Sequence, residues 1–201
     1  MDVRKLERPQ TESPSVLVIA ALRYEALGVR GCRVVVTGPG PERAQRGLQR
    51  ALRELRPERM VAIGLCGGLS PGETIGSYAV PAEVVSEYAE GRYRCAPWPG
   101  IAQAGRLVSV KQLAADPHVK AMLHERYQAR WVDMETFAWA QVAAEEGVPL
   151  TVVRVVVDAA TDYLPTWRVR QSWSSVLDVV AHGWTARRTL STIVRRMLCA
   201  P

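Results

Sequence analysis

Glu135 and Asp158 are the residues of this chain best placed to do chemistry, two carboxylates set where a bare charge is costly. Glu135 lies in Val132-Asp133-Met134-Glu135-Thr136, where an extended stretch gives way to an apolar helix. Asp158 ends the run Leu150-Thr151-Val152-Val153-Arg154-Val155-Val156-Val157, whose β-branched residues predict a buried central strand. Removing an unpaired carboxylate from water is expensive, so each acid needs a partner charge or a ligand. In open α/β sheets the carboxyl ends of the strands are also where ligands bind.

The elements that must position these acids follow from the pattern of apolar runs. Residues up to about Ser15 are polar and proline-bearing and read as a flexible N-terminal tail, leaving 16–201 as a single domain. Val16 to Ala21 is a first buried strand, and Cys32 to Thr37 a second, closed by Gly38-Pro39-Gly40-Pro41. From Pro41, Ala44, Leu48, Ala51, Leu52 and Leu55 recur at helical spacing, and Arg43, Arg46, Gln49, Arg50 and Arg53 form the solvated face. Met60 to Leu65 is a third strand, followed by the loop Cys66-Gly67-Gly68-Leu69-Ser70-Pro71-Gly72 and a short strand near Tyr78 to Pro81. Residues 87–105 read as an irregular connection, and Arg106 to Val110 as a strand. Asp116 caps a helix reaching about Gln128, with Pro117 in its first turn. A helix from Glu135 to Glu146 precedes the Asp158 strand, and Ser172 to Leu198 is amphipathic, interrupted at Gly183. Strands alternating with helices imply an α/β fold, a three-layer sandwich with a central mixed, twisted sheet flanked by helices.

Three loops then converge on one sheet edge: Leu22 to Glu25, Cys66 to Gly68, and Asp158 to Ala160. Glycines at 67 and 68 would let a ligand approach the backbone closely. Gly67-Gly68 alone is neither a P-loop nor a dinucleotide fingerprint.

Composition narrows the function. The 201 residues are 48% hydrophobic and 23% charged, ordinary for a soluble domain, and no apolar run is long enough to span a bilayer. The charged start lacks a signal-peptide core, so a cytoplasmic location without membrane insertion is expected. Cys32, Cys66, Cys95 and Cys199 form no close pair, and His118, His124 and His182 have no ligand spacing, so neither a metal nor a cofactor is expected. Net charge is +6, but the arginines are scattered and cluster only at Arg187-Arg188 and Arg195-Arg196. Without a basic stripe interleaved with aromatics, no nucleic-acid partner is expected.

In combination these segments resemble the nucleoside phosphorylase superfamily, especially its methylthioadenosine/S-adenosylhomocysteine nucleosidase branch. Ala21-Leu22-Arg23-Tyr24-Glu25 is similar to that family's Ala-Met-Glu-Glu-Glu, and Gly38-Pro39-Gly40 to its Gly-Ile-Gly turn. Gly64-Leu65-Cys66-Gly67-Gly68-Leu69-Ser70-Pro71-Gly72 resembles Gly-Ser-Ala-Gly-Gly-Leu-x-Pro-Gly. Val132-Asp133-Met134-Glu135 matches Val-(Glu/Asp)-Met-Glu, and Val153 to Asp158 matches Val-Arg-x-x-Ser-Asp. The matches run in order from about Val16 to Asp162.

The resemblance implies cleavage of the N-glycosidic bond of an adenine-type purine nucleoside. It makes Asp158 the general acid at purine N7 and Glu25 the base that orients and deprotonates water. It makes Glu135 the acceptor for ribose hydroxyls, with Met134 against the sugar face. Cys66, Gly67, Gly68 and Asp133 fall in its substrate-binding motifs, and Leu113 stands where an aromatic normally covers the base. Two departures are Val157, where the family has serine before its aspartate, and Leu65, where it has the glycine-loop serine; they imply a larger or more apolar base or 5′ environment than methylthioadenosine requires.

Glu25 at the water position favours hydrolysis, since a carboxylate repels phosphate. Phosphorolysis, with phosphate as co-substrate, is the alternative. Asp133-Met134-Glu135, Arg154 to Asp158 and Leu164-Pro165 also resemble a hopanoid-associated phosphorylase-like subgroup acting on adenosyl-hopane, for which the basic last helix would meet lipid. Packing of that helix on the sheet or in a homodimer is the preferred reading. A nucleoside-binding protein without turnover is the remaining alternative; retention of both acids argues against it.

Overall fold

The β-branched run that closes on Asp158 forms a nine-residue strand, buried at every position but Val157. It belongs to a computed structural model that describes residues 15–164 and 183–198. In chain order the elements are β1 (Val16–Ala20), β2 (Arg33–Val36), α1 (Pro41–Glu54), β3 (Arg59–Gly68), β4 (Tyr78–Ala79) and β5 (Glu83–Ser86). They continue with β6 (Tyr93–Arg94), β7 (Arg106–Ser109), α2 (Pro117–Tyr127), β8 (Trp131–Asp133), α3 (Thr136–Glu145), β9 (Leu150–Asp158) and α4 (Gly183–Leu198). The expected N-terminal tail, Pro165, His182, Cys199 and the 172–182 part of the last amphipathic segment lie outside the described residues.

All nine strands join one mixed sheet organised by β3. On one side β3 runs parallel to β9 from Met60 to Gly67. On the other it changes partner: parallel β1 covers Arg59 to Ala62, and antiparallel β8 takes Gly67 and Gly68. β2 flanks β1, and β7, β5 and β6 extend outward from β8. The stretch of β3 between its two partners is a fork in the sheet, and the candidate site is built there.

Alternation along the strands sorts the core into two faces. Leu17, Ile19, Met60, Ala62, Cys66, Leu150, Val152 and Val156 pack against Ala44, Leu48 and Leu52 of α1 and Phe137, Trp139 and Val142 of α3. Val18, Ala20, Val61, Ile63, Val153 and Val155 meet Leu190, Ile193, Val194 and Met197 of α4. Sheet and two helical layers make the expected three-layer architecture. The apolar side of α4 is buried on the sheet while Arg195 and Arg196 are exposed, so that side is not available to a lipid surface. Among the described residues no helix is long and apolar enough to cross a membrane.

Helix signals are met closely. Pro41 opens α1, and Asp116 caps α2 by accepting from the His118 amide at 2.7 Å. Two readings need correction. Residues 87–105 are not wholly irregular, because Tyr93 and Arg94 pair with Val84 and Glu83. Gly67 and Gly68 are not a loop after β3 but its last two residues, paired to β8. A glycine pair signals a turn only when nothing else needs the missing side chains, and here other side chains fill both positions.

Candidate active site

Position 64 is where the fork becomes polar. A Cβ at Gly64 would lie 2.3 Å from Arg154 Nη1 and 2.7 Å from Glu25 Oε1. The bare backbone thus lets Arg154 cross β3 from β9 and lets Glu25 reach in from the turn after β1. That turn, residues 21–28, is held by successive short-range bonds such as Glu25 N–H to the Leu22 carbonyl at 3.1 Å. Glu25 is buried, and Oε2 accepts from the amides of Ala21 at 3.0 Å and Leu22 at 2.9 Å. Oε1 accepts from the Leu65 amide at 3.2 Å, satisfying an N–H that falls between β1 and β8. Three of the roughly four lone-pair sites of a carboxylate are thereby used, leaving one for a further donor.

Arg154 is 1% exposed and crosses the face of Trp139, its guanidinium 5.1 Å from the ring centroid. Its Nε and Nη2 donate to Asp133 Oδ2 at 3.1 and 2.7 Å, and Nη2 also donates to Thr136 Oγ1. Asp133 in turn accepts from Ser109 Oγ at 2.6 Å, from the Thr136 hydroxyl, and from the Thr136 amide in the first turn of α3. Asp133, one of the residues expected to touch substrate, is therefore occupied inside the protein, tying β7, β8, β9 and α3 together.

Glu135 stands two residues on, at the start of α3, and caps no amide of that helix. Its Oε1 instead accepts from the Gly40 amide at 2.7 Å, across 95 residues of sequence. Gly40 holds a left-handed φ of 83°, which a residue with a side chain adopts only under strain. Met134 is partly buried against the apolar cluster of Val108, Val110 and Ala114.

One cation among three acids sets the electrostatics. Burial raises Glu25 above the ordinary carboxylate range, against Arg154 and the three amides it accepts. Burial, then Asp133 and Glu25, push Glu135 up to about 8, opposed by the Gly40 amide and Arg154. Burial disfavours the Arg154 charge, but Asp133, Glu25 and Glu135 outweigh it and hold the guanidinium above its usual value.

Asp158, the last residue of β9, lies beside the far end of β3. Val156 pairs with Cys66 and Asp158 with Gly67, so Val157 is the extra residue of a β-bulge, a device that re-aims the next side chain. A Cβ on Gly67 would lie 2.9 Å from Asp158 Oδ2 and 3.0 Å from Val132 Cγ1. Gly68 is crowded by the Glu73 Cβ at 2.9 Å, and Glu73 binds Arg130 and Trp131 Nε1. Gly67 thus makes room for the Asp158 carboxylate, and Gly68 for the Glu73 side chain and the Asp158 carbonyl at 3.3 Å. Burial raises Asp158, and Lys120 lowers it through a hydrogen bond and its charge.

Lys120 went unrecognised in the sequence. It is wholly buried, with Nζ 2.5 Å from Asp158 Oδ2. Arg154, the cation nearest to Asp158 in sequence, pairs instead with Asp133. Cys66, another expected contact, is buried in the α1–α3 core with its thiol pushed well up by burial. Leu113 is partly exposed in the segment before α2, and that segment adjoins the turn after Asp158 through Leu164 N–H to the Ala115 carbonyl at 2.8 Å. Val157 and Leu65, the two serine replacements, both pack into the apolar cluster beneath α4. Among the described residues no group of three or more His, Cys, Asp or Glu is placed to hold a metal ion.

Comparison with known proteins matches the chain to the phosphorylase superfamily over residues 18–100 and 101–198. Comparison with curated proteins found no match. Among solved structures, the fold is similar to 5′-methylthioadenosine/S-adenosylhomocysteine nucleosidase from Neisseria meningitidis in complex with methylthio-immucillin-A, at 16% identity over 91% of this chain and 97% of that one, TM-score 0.75. The Helicobacter pylori enzyme of the same name gives 15% identity, 92% and 97% coverage and a TM-score of 0.74. Futalosine hydrolase of Helicobacter pylori gives 14% identity, 92% and 97% coverage and a TM-score of 0.74.

Proposed function

The chain belongs to the phosphorylase superfamily, and we propose from that premise that it hydrolyses the N-glycosidic bond of an adenine-type purine nucleoside. The observation that carries this reading is the fork in β3, where Glu25 lies against Gly64 and Asp158 against Gly67, with Glu135 near enough to Glu25 for their charges to interact.

Each acid then has a task suited to its surroundings. Glu135, bound on one oxygen by Gly40, accepts from the ribose hydroxyls through the other, and Met134 packs against the sugar. Glu25 keeps one acceptor site for water, and its upward shift brings it closer to the range useful for a general base. Asp158 delivers a proton to N7. As the C1′–N9 bond breaks, its electron pair goes to N9, water oxygen bonds to C1′, and Glu25 takes the proton that water releases. The products are a neutral base and a free pentose.

Hydrolysis is favoured over phosphorolysis by charge. A phosphate dianion at the fork would face the Glu25 carboxylate that serves as base, and like charges that close in a poorly solvated site repel strongly. The Arg154 guanidinium, whose charge acts on both Glu25 and Glu135, already serves Asp133 and Thr136. The test is incubation with a panel of adenine and other purine nucleosides, with and without phosphate, followed by chromatography. Free base released without phosphate supports the proposal; no release from any member, alongside measurable nucleoside binding, makes the protein a binder.

A further inference from the structure

Lys120 is in the wrong place for an ordinary helix lysine. It sits in the first turn of α2, where the helix dipole disfavours a cation, and it is 0% exposed, although lysine is almost never fully buried without a partner. Its three donors meet three acceptors, all from residues 158–162. Nζ lies 2.5 Å from Asp158 Oδ2 and donates to the Ala159 carbonyl at 2.6 Å and the Asp162 carbonyl at 3.1 Å. Asp162 closes the same turn by accepting from the Ala159 amide at 2.7 Å. The helix gains nothing electrostatically from this residue, whereas the turn that carries Asp158 is assembled around it.

We propose that Lys120 is the positioning residue of the catalytic acid, fixing the Asp158 carboxyl against Gly67 and stabilising the carboxylate left when its proton goes to the base. The inference rests on the assignment of Asp158 as the acid. When Asp158 gives its proton to N7, the new negative charge forms beside an ammonium that keeps all three of its own protons. Solvent restores the Asp158 proton after the base leaves. Val157, the bulge residue, brings no hydroxyl to share this work. The other charged groups near Asp158 do not replace the lysine. Asp162 adds negative charge, Glu73 is taken by Arg130 and Trp131, and Cys66 is a buried thiol kept protonated.

The ammonium therefore makes Asp158 a stronger acid and sets the pH above which it is no longer protonated. The test is the pH profile of kcat for wild type, Lys120→Met, Lys120→Gln and Lys120→Arg. In Lys120→Met and in the near-isosteric Lys120→Gln, kcat is expected to fall about 10²-fold, the cost of misplacing a catalytic group by ~1 Å, with KM little changed. Their alkaline limb should move to higher pH, while Lys120→Arg keeps the wild-type limb. A merely structural lysine would lower the amount of folded enzyme without moving the limb. An unmoved limb in Lys120→Gln, with wild type active and Asp158→Asn inactive, overturns this inference alone. Absence of base release by wild type, or full activity in Asp158→Asn, removes the assignment of the acid and this inference with it.

Discussion

Gly67→Ala is the most informative single perturbation of the fork, because one methyl group separates packing from chemistry. The added Cβ would lie 2.9 Å from Asp158 Oδ2 and 3.0 Å from Val132 Cγ1, where ordinary contact begins at 3.4 Å. The carboxylate must therefore withdraw by about 0.5 Å, from 2.9 Å to the 3.4 Å of ordinary contact. Lys120, 2.5 Å from the same oxygen, opposes that movement. Overpacking of this kind costs about 1–3 kcal/mol, which for a chain of this size lowers Tm by about 2–12 °C. If a ~1 Å misplacement costs 10²-fold, half of that costs roughly 10-fold in kcat. Gly68→Ala is the control: its Cβ would meet Glu73 Cβ at 2.9 Å and, of Asp158, the backbone carbonyl at 3.3 Å rather than the carboxylate, so a similar loss of Tm with a smaller loss of kcat is expected. Thermal unfolding by circular dichroism and steady-state base release measure both quantities. Wild-type kcat in Gly67→Ala, or equal kcat losses at the two positions, refutes the placement of the acid at Gly67.

Arg154→Met leaves Asp133 as an uncompensated buried charge, a loss of about 3–5 kcal/mol, or roughly 6–20 °C in Tm; the double variant with Asp133→Asn should recover part of it in denaturant titration. Glu135 is raised in the folded protein to about 8, so its contribution to stability is complete below the unfolded value and is lost as pH rises through 8. Glu135→Gln is thus expected to gain Tm relative to wild type at pH 8.5 and not at pH 4, and an equal difference at both contradicts the buried, charge-crowded setting. Asp158→Asn should abolish turnover while weakening nucleoside binding much less, as read by calorimetry. Glu25→Gln keeps the size of the side chain but cannot take a proton, so kcat should fall about 10²–10⁴-fold with KM little changed.

Much of the scaffold was legible because it rests on local signals. The β-branched run to Asp158, the proline at 41 and the Asp116 cap each act within a few residues, and each yields its expected element. What escaped needed contacts over long sequence distance. Trp131–Asp133 is three residues long, too short for periodicity to identify as a strand. Lys120 shares a helix face with Leu123, but helical spacing cannot reveal that the turn at 158–162 waits above it. Gly67-Gly68 has the composition of a turn, and only the crowding by Asp158 and Glu73 explains a strand there. Asp133 and Glu135 are neighbours in sequence with opposite fates: one is locked to Arg154, the other held by a glycine amide 95 residues away. The order of the motifs brought the three acids together; the cations that tune them came from the fold.

The most direct measurement of the central claim is the identity of the sugar product. Wild-type protein is given a 5′-substituted adenosine that it cleaves, in phosphate buffer, and the pentose is analysed by mass spectrometry. The fork of Glu25, Glu135 and Asp158 should yield free adenine and a sugar with a hydroxyl at C1′, at a rate independent of phosphate. A sugar 1-phosphate, or a rate that vanishes without phosphate, would contradict it.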